Sequence, residues 1–102
     1  MLRTLVFWFF LLFSNLTFAQ YSIKGRVTDA ETGDPIAFAN VILKGTTTGM
    51  TTDFEGYFSI QTKTLSDSLA VSYLGYVSQQ KKLENVSEQT LNFQLWPSSF
   101  DL

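Results

Sequence analysis

From Tyr21 onward, apolar and polar residues alternate in short runs separated by Gly, Asp, Asn and Pro. That period of two, punctuated by turn formers, predicts half-buried strands. Tyr21 to Asp29 reads as an antiparallel strand with Ile23 and Val27 on the inward face and Ser22, Lys24, Arg26 and Thr28 on the outward one. Gly25 shares the inward face and leaves room for a large neighbour. Ala30 to Pro35 is a turn: Asp and Thr side chains bond backbone amides, Gly33 takes positive φ, and Pro35 fixes the exit. Ile36 to Lys44 is almost continuously apolar, the pattern of a central strand covered on both faces or flanked on both edges, with Asn40 as its polar interruption. Gly45 to Gly49 turns the chain, Met50 to Thr52 pairs back, and Asp53 to Gly56 turns it again. In Tyr57 to Gln61, Phe58 and Ile60 point inward. A polar loop anchored by Leu65 follows, then a strand over Leu69 to Tyr73 with Leu69, Val71 and Tyr73 inward. Gly75 breaks or bulges the sheet. Tyr76 to Leu83 and Thr90 to Trp96 complete the set, the last with Leu91, Phe93 and Leu95 alternating against Asn92 and Gln94, and Pro97 stops pairing.

About seven strands spaced roughly 8 to 12 residues apart predict an all-β, seven-stranded Greek-key β-sandwich. No internal repeat or second domain is visible. Ahead of the strands, Arg3 and the apolar run Leu5 to Phe13 (LVFWFFLLF) lead to Thr17-Phe18-Ala19, the layout of a secretory signal peptide cleaved between Ala19 and Gln20. The run is shorter than the ~20 residues that span a bilayer. No Cys follows it, which excludes a lipid-anchored lipoprotein, and no twin-Arg pair is present, so export runs through the general route. The predicted organisation is a leader over 1–19, one sandwich domain over 20–97, and a tail or linker start over 98–102.

Composition narrows the function classes. Of 7 basic residues, Arg3 lies in the leader, so six remain against 9 acidic ones. This mildly acidic balance without a basic stripe argues against a nucleic-acid partner. With no Cys, the domain has no disulfide staple, and so short a chain is expected to be marginally stable.

A set of ordered elements carries a family resemblance. They are Gly25 with Val27 and Asp29, Thr32-Gly33, Pro35-Ile36, Ala39-Asn40-Val41, Lys44-Gly45-Thr46, Gly49, Thr52-Asp53, Glu55-Gly56 with Phe58, and Ser72-Tyr73 with Gly75-Tyr76. In this order and spacing the chain closely resembles the carboxypeptidase regulatory-like domain, also called transthyretin-like. The resemblance implies a transthyretin-like β-sandwich. It also implies a position behind the signal peptide of a large outer-membrane protein, such as a SusC-type TonB-dependent receptor. Two situations fit: a stand-alone exported domain, or the leading piece of a larger protein.

The chemistry-bearing residues point away from catalysis. With no His and no Cys, the chain lacks the ligands of a catalytic zinc and the base of Ser-His-Asp or Cys-His systems. No cofactor is expected. Asp29, Glu31 and Asp34 share one turn, Asp53 and Glu55 another; if the turns met they could form an acidic cluster, but turn capping is the plainer role. No calcium-loop spacing is present, so no metal site is expected. The amide of Asn40 is expected to satisfy a turn or bulge backbone. Tyr57, Tyr76 and Trp96 are candidate sugar-stacking aromatics, and the threonines from Thr46 to Thr52 fit a β-hairpin. Lys81 and Lys82 read as edge-strand charges that discourage aggregation. The Asn85-Val86-Ser87 sequon matters only in a eukaryotic secretory pathway.

The functional expectation is a non-enzymatic, exported interaction or spacer module in the periplasm, at the outer membrane, or released. Its partner would be an envelope protein or an adjacent domain, engaged through sheet edges or loop ends, including strand addition at an edge. The alternatives are a carbohydrate-binding or adhesion module, with glycan as partner, and a small hydrolase, which the missing His and Cys oppose.

Overall fold

A computed structural model describes residues 20–98. The expected leader over 1–19, with Ala19 of the Ala19–Gln20 cleavage site, lies outside the described residues, as do 99–102 of the tail. Eight strands are present: β1 (Tyr21–Asp29), β2 (Asn40–Leu43), β3 (Gly49–Thr51), β4 (Tyr57–Thr62), β5 (Ser68–Ser72), β6 (Gln79–Lys82), β7 (Glu88–Thr90) and β8 (Phe93–Leu95). Two four-stranded sheets form a sandwich. One has the order β4-β1-β7 with β8 also on β1, and the other β3-β2-β5-β6. Because β7 and β8 follow each other along the same edge of β1, they act as one interrupted strand.

The core is the sum of the two inward faces. Ile23, Val27, Phe58, Ile60, Phe93 and Leu95 come from the first sheet, and Val41, Leu43, Leu69 and Val71 from the second. Ile36, Ala39 and Leu83 seal the space from connecting segments, and Leu65 packs against it, as its apolar character in a polar loop predicts. Each large side chain removed from water stabilises the fold by about 1.5–3 kcal/mol. Phe58 and Phe93 lie 6.3 Å apart in the middle, tilted by 52°.

Several expectations are corrected. β1 pairs antiparallel with β4, as alternation predicts, but parallel with β7 and β8. Parallel neighbours need a long crossover, and here the entire second sheet intervenes. The run Ile36 to Lys44 is a strand only from Asn40. Ile36 to Ala39 forms an irregular link, tied to β1 at its start by the Thr28–Pro35 bridge and the Ile36 N–H bond to the Val27 carbonyl at 3.0 Å. β2 is flanked on both edges, yet its outer face is bare, with Ile42 45% exposed and Asn40 beside it on the outward alternation. Asn40 therefore faces outward and does not serve a turn. Tyr73 lies beyond β5 and is 37% exposed. Only Gln79–Lys82 of the expected 76–83 strand is regular, and Pro97 still makes a bridge, to Tyr76.

The break between β7 and β8 has a steric cause. A Cβ at Gly25 would lie 1.7 Å from the Leu91 carbonyl oxygen and 2.6 Å from the Phe58 ring. Glycine thus admits a backbone atom as well as a side chain. The Leu91 N–H donates to the Lys24 carbonyl at 2.8 Å, and the Asn92 side-chain oxygen accepts from the Arg26 N–H at 3.0 Å. Asn92 replaces a ladder bond across the break, and β8 resumes on Val27 with the same offset that β7 keeps to β1, so no residue is inserted.

Candidate interaction surface

The strand directions sort the connections onto two ends. One end carries the segments 30–39, 52–56 and 73–78 and the exit after β8, and the other carries 44–48, 63–67 and 83–87. Large apolar side chains are exposed mainly at the first. Phe38 is 53% exposed, Phe54 79%, Leu74 94%, Val77 54% and Trp96 55%, whereas at the second end Val86 is the one such residue among those described. Exposed apolar side chains are thus concentrated at one end of the sandwich.

The first end is also held firmly. Thr52, 1% exposed, donates from its hydroxyl to the Ile36 carbonyl at 2.6 Å and accepts from the Ala39 N–H at 2.9 Å. The Phe38 N–H bonds the Thr52 carbonyl at 3.0 Å, and the Thr52 N–H bonds the Ala39 carbonyl at 2.9 Å. These four bonds replace the strand pairing that 36–39 lacks. They hold Phe38 at φ 62°, a conformation costly for a bulky residue. Its ring meets Phe54 edge-on, with centroids 5.1 Å apart and planes at 75°.

Asp29 joins the two sheets here. Its carboxylate accepts from the Glu31 and Thr32 N–H groups at 2.7 and 3.0 Å and from the Tyr76 hydroxyl at 2.7 Å. The Tyr76 hydroxyl and then the backbone donors hold the carboxyl below its ordinary pKa. The same bond, helped by burial, pushes the Tyr76 hydroxyl up. Asp53 caps its own turn, accepting from Glu55 and Tyr57 N–H groups, both at 2.9 Å. The two acidic turns do share an end, but these carboxylates are committed to backbone donors. Among the described residues no group of three or more acidic, His or Cys side chains could hold a metal. Glu31, Asp34 and Glu55 are exposed on the same connections as Phe38 and Phe54 and give this end negative charge.

Side chains occupy part of two lateral edges, those of β8 and β4. Gln79 donates from its amide to the Gln94 carbonyl at 2.6 Å, and the Lys81 ammonium donates to the Asn92 carbonyl while lying 5.1 Å from the Phe93 ring centre. Side chains of β6 thus occupy acceptors that an added strand would use along β8. On the other side, Met50 of β3 meets the Ser59 N–H of β4 at 3.3 Å. The candidate aromatics are partly engaged. The Arg26 guanidinium lies 4.9 Å from the Tyr57 ring centre, and Tyr76 is half-buried on Asp29, leaving Trp96 exposed at the tip. Of the hairpin threonines, Thr46 caps its turn through the Leu43 carbonyl, and Thr52 is buried. Phe38, Phe54 and Leu74 are the tip residues that strand reading overlooks. Their signal is an apolar side chain within a turn, out of phase with either strand beside it.

The sequence profile of the CarboxypepD_reg-like domain matches residues 23–102. The chain belongs to that family. Over 61 residues it is 48% identical to the TonB-dependent receptor SusC of Bacteroides thetaiotaomicron, covering 60% of this chain and 6% of the receptor. It is 36% identical over 83 residues to TonB-dependent receptor P3 of Formosa agariphila, covering 80% of this chain and 8% of that one. The chain therefore spans less than a tenth of the length of these receptors. Among solved structures, a protein described as membrane-associated and of unknown function from Bacteroides fragilis superposes with a TM-score of 0.58 at 26% identity, covering 81% of this chain and 30% of that one. A cohesin–X-dockerin complex from Acetivibrio cellulolyticus contains a chain with a TM-score of 0.63 at 20% identity, covering 76% and 58% respectively, a likeness of fold. The resemblance drawn from Gly25 through Tyr76 is thus borne out, and so is the sandwich.

Proposed function

We propose that this chain is the exported, periplasm-facing leading domain of an outer-membrane protein of the TonB-dependent receptor type, and that it serves there as a non-catalytic interaction and spacer module. The observation that carries this reading is the match of residues 23–102 to the regulatory-like family together with 48% identity to SusC. The leader over 1–19, cleaved between Ala19 and Gln20, supplies the export route. The committed carboxylates and the absence of His and Cys from the sequence support a module that binds and positions.

Immunoblotting of fractionated cells of the source organism with an antibody to residues 20–102 tests this. A band of receptor size in the outer-membrane fraction is expected. A soluble band of the size of the cleaved domain alone would overturn the outer-membrane reading and leave a free-standing module.

A further inference from the structure

We infer that the loop end bearing Phe38, Phe54, Leu74 and Trp96 packs against an apolar, basic-rimmed surface on the polypeptide that follows Ser98, an inference that rests on the receptor context proposed above. Three observations select this occupant. First, the chain leaves from this same end: the Ser98 N–H donates to the Gly75 carbonyl at 2.8 Å, beside Leu74, and the Val77 N–H to the Trp96 carbonyl at 2.9 Å. Whatever follows is tethered next to the tip, and a short tether raises effective concentration to the order of millimolar. The sequence continues Ser99-Phe100-Asp101-Leu102, so apolar side chains begin at once.

Second, the connections that carry the exposed rings are acidic. Glu31, Asp34 and Glu55 share the 30–39 and 52–56 connections with Phe38 and Phe54 and are exposed, while Arg26 is already turned to the Glu55 carbonyl at 2.9 Å and to Tyr57. A complementary face is therefore apolar with Lys or Arg at its margin. Third, strand addition along β8, the edge nearest the exit, is obstructed, since Gln79 and Lys81 bond the Gln94 and Asn92 carbonyls. Phe38, locked by Thr52 in an αL conformation, presents its ring without needing to be ordered on contact, which favours association.

The test places a photo-activatable phenylalanine analogue at Phe54, at Leu74 and, as the opposite-end control, at Thr47 of the chromosomally encoded protein. Irradiated cells are blotted with the antibody to 20–102, and cross-linked peptides are mapped by mass spectrometry. The expected result is links from positions 54 and 74 to segments beyond residue 98 of the same polypeptide, at least several-fold above those from position 47. A receptor-sized band with yields at 54 and 74 no greater than at 47, or with links to a separate polypeptide, overturns the docking while leaving the receptor reading intact. A band of domain size overturns that reading, and the docking with it.

Discussion

Asp29 accepts three hydrogen bonds through one carboxylate, and the third, from Tyr76, reaches across 47 positions of sequence. The bond stabilises the fold over a bounded pH range. Asp29 titrates near 3.8 when unfolded and lower when folded, so its contribution is present above that value and lost as pH falls through the folded one. Tyr76 titrates near 10.0 when unfolded and higher when folded, so its contribution is complete below 10.0 and lost as pH rises through the folded value. Thermal melts of residues 20–98 and its Tyr76→Phe variant should therefore differ most between these limits and converge on both sides. An equal gap at pH 2.5 and pH 7 would sink this account. Half of the arrangement is legible in the sequence: an Asp followed by Ala-Glu-Thr-Gly reads as a turn cap, and it is one. Its hydroxyl partner is not, because no local pattern marks which distant Tyr closes the bond. Thr52 is hidden for the same reason, reading as one more hairpin threonine until the backbone of 36–39 is seen to depend on it.

Strands β1, β4, β5 and β8 are legible because each buries one face, and burial imposes the period of two. The link 36–39 is misread because a continuous apolar run carries no phase: Ile36 and Ala39 are buried while Phe38 between them is out in solvent. The break that divides β7 from β8 is equally invisible, since Gly25, which admits the Leu91 carbonyl, lies on another strand. Its energetic weight can be isolated with two alanines. Gly75 has φ +89° and open space around it, so Gly75→Ala should cost about 1–2 kcal/mol of backbone strain alone. Gly25→Ala drives a methyl group into the Leu91 carbonyl and should cost more than about 3 kcal/mol, beyond ordinary overpacking. Urea denaturation of the two variants measures both. Equal losses would mean that β7 and β8 shift aside freely and that the break is not fixed by this contact.

At the scale of the whole molecule, sandwich architecture and family follow from turn spacing and ordered motifs, whereas the apolar tip does not, because exposure is a property of the assembled surface. The last strand is indispensable to that assembly: Phe93 and Leu95 are fully buried, and deleting such side chains singly costs about 3–5 and 2–5 kcal/mol. A chain of residues 20–91 should accordingly lack the cooperative urea transition and near-ultraviolet circular dichroism expected of residues 20–98; retention of both would show that the first sheet closes without β8. The parallel seating of β7 and β8 against β1 has a mechanical meaning too. The chain enters at one end of β1 and leaves beyond the other, with first and last strands side by side and pointing the same way. Traction applied at Tyr21 and Ser98 makes these strands slide past each other, so their hydrogen bonds are strained together in shear and do not open one by one like a zipper. Stretched along its long axis, the sandwich is a tie rod whose yield point lies in that short backbone seam.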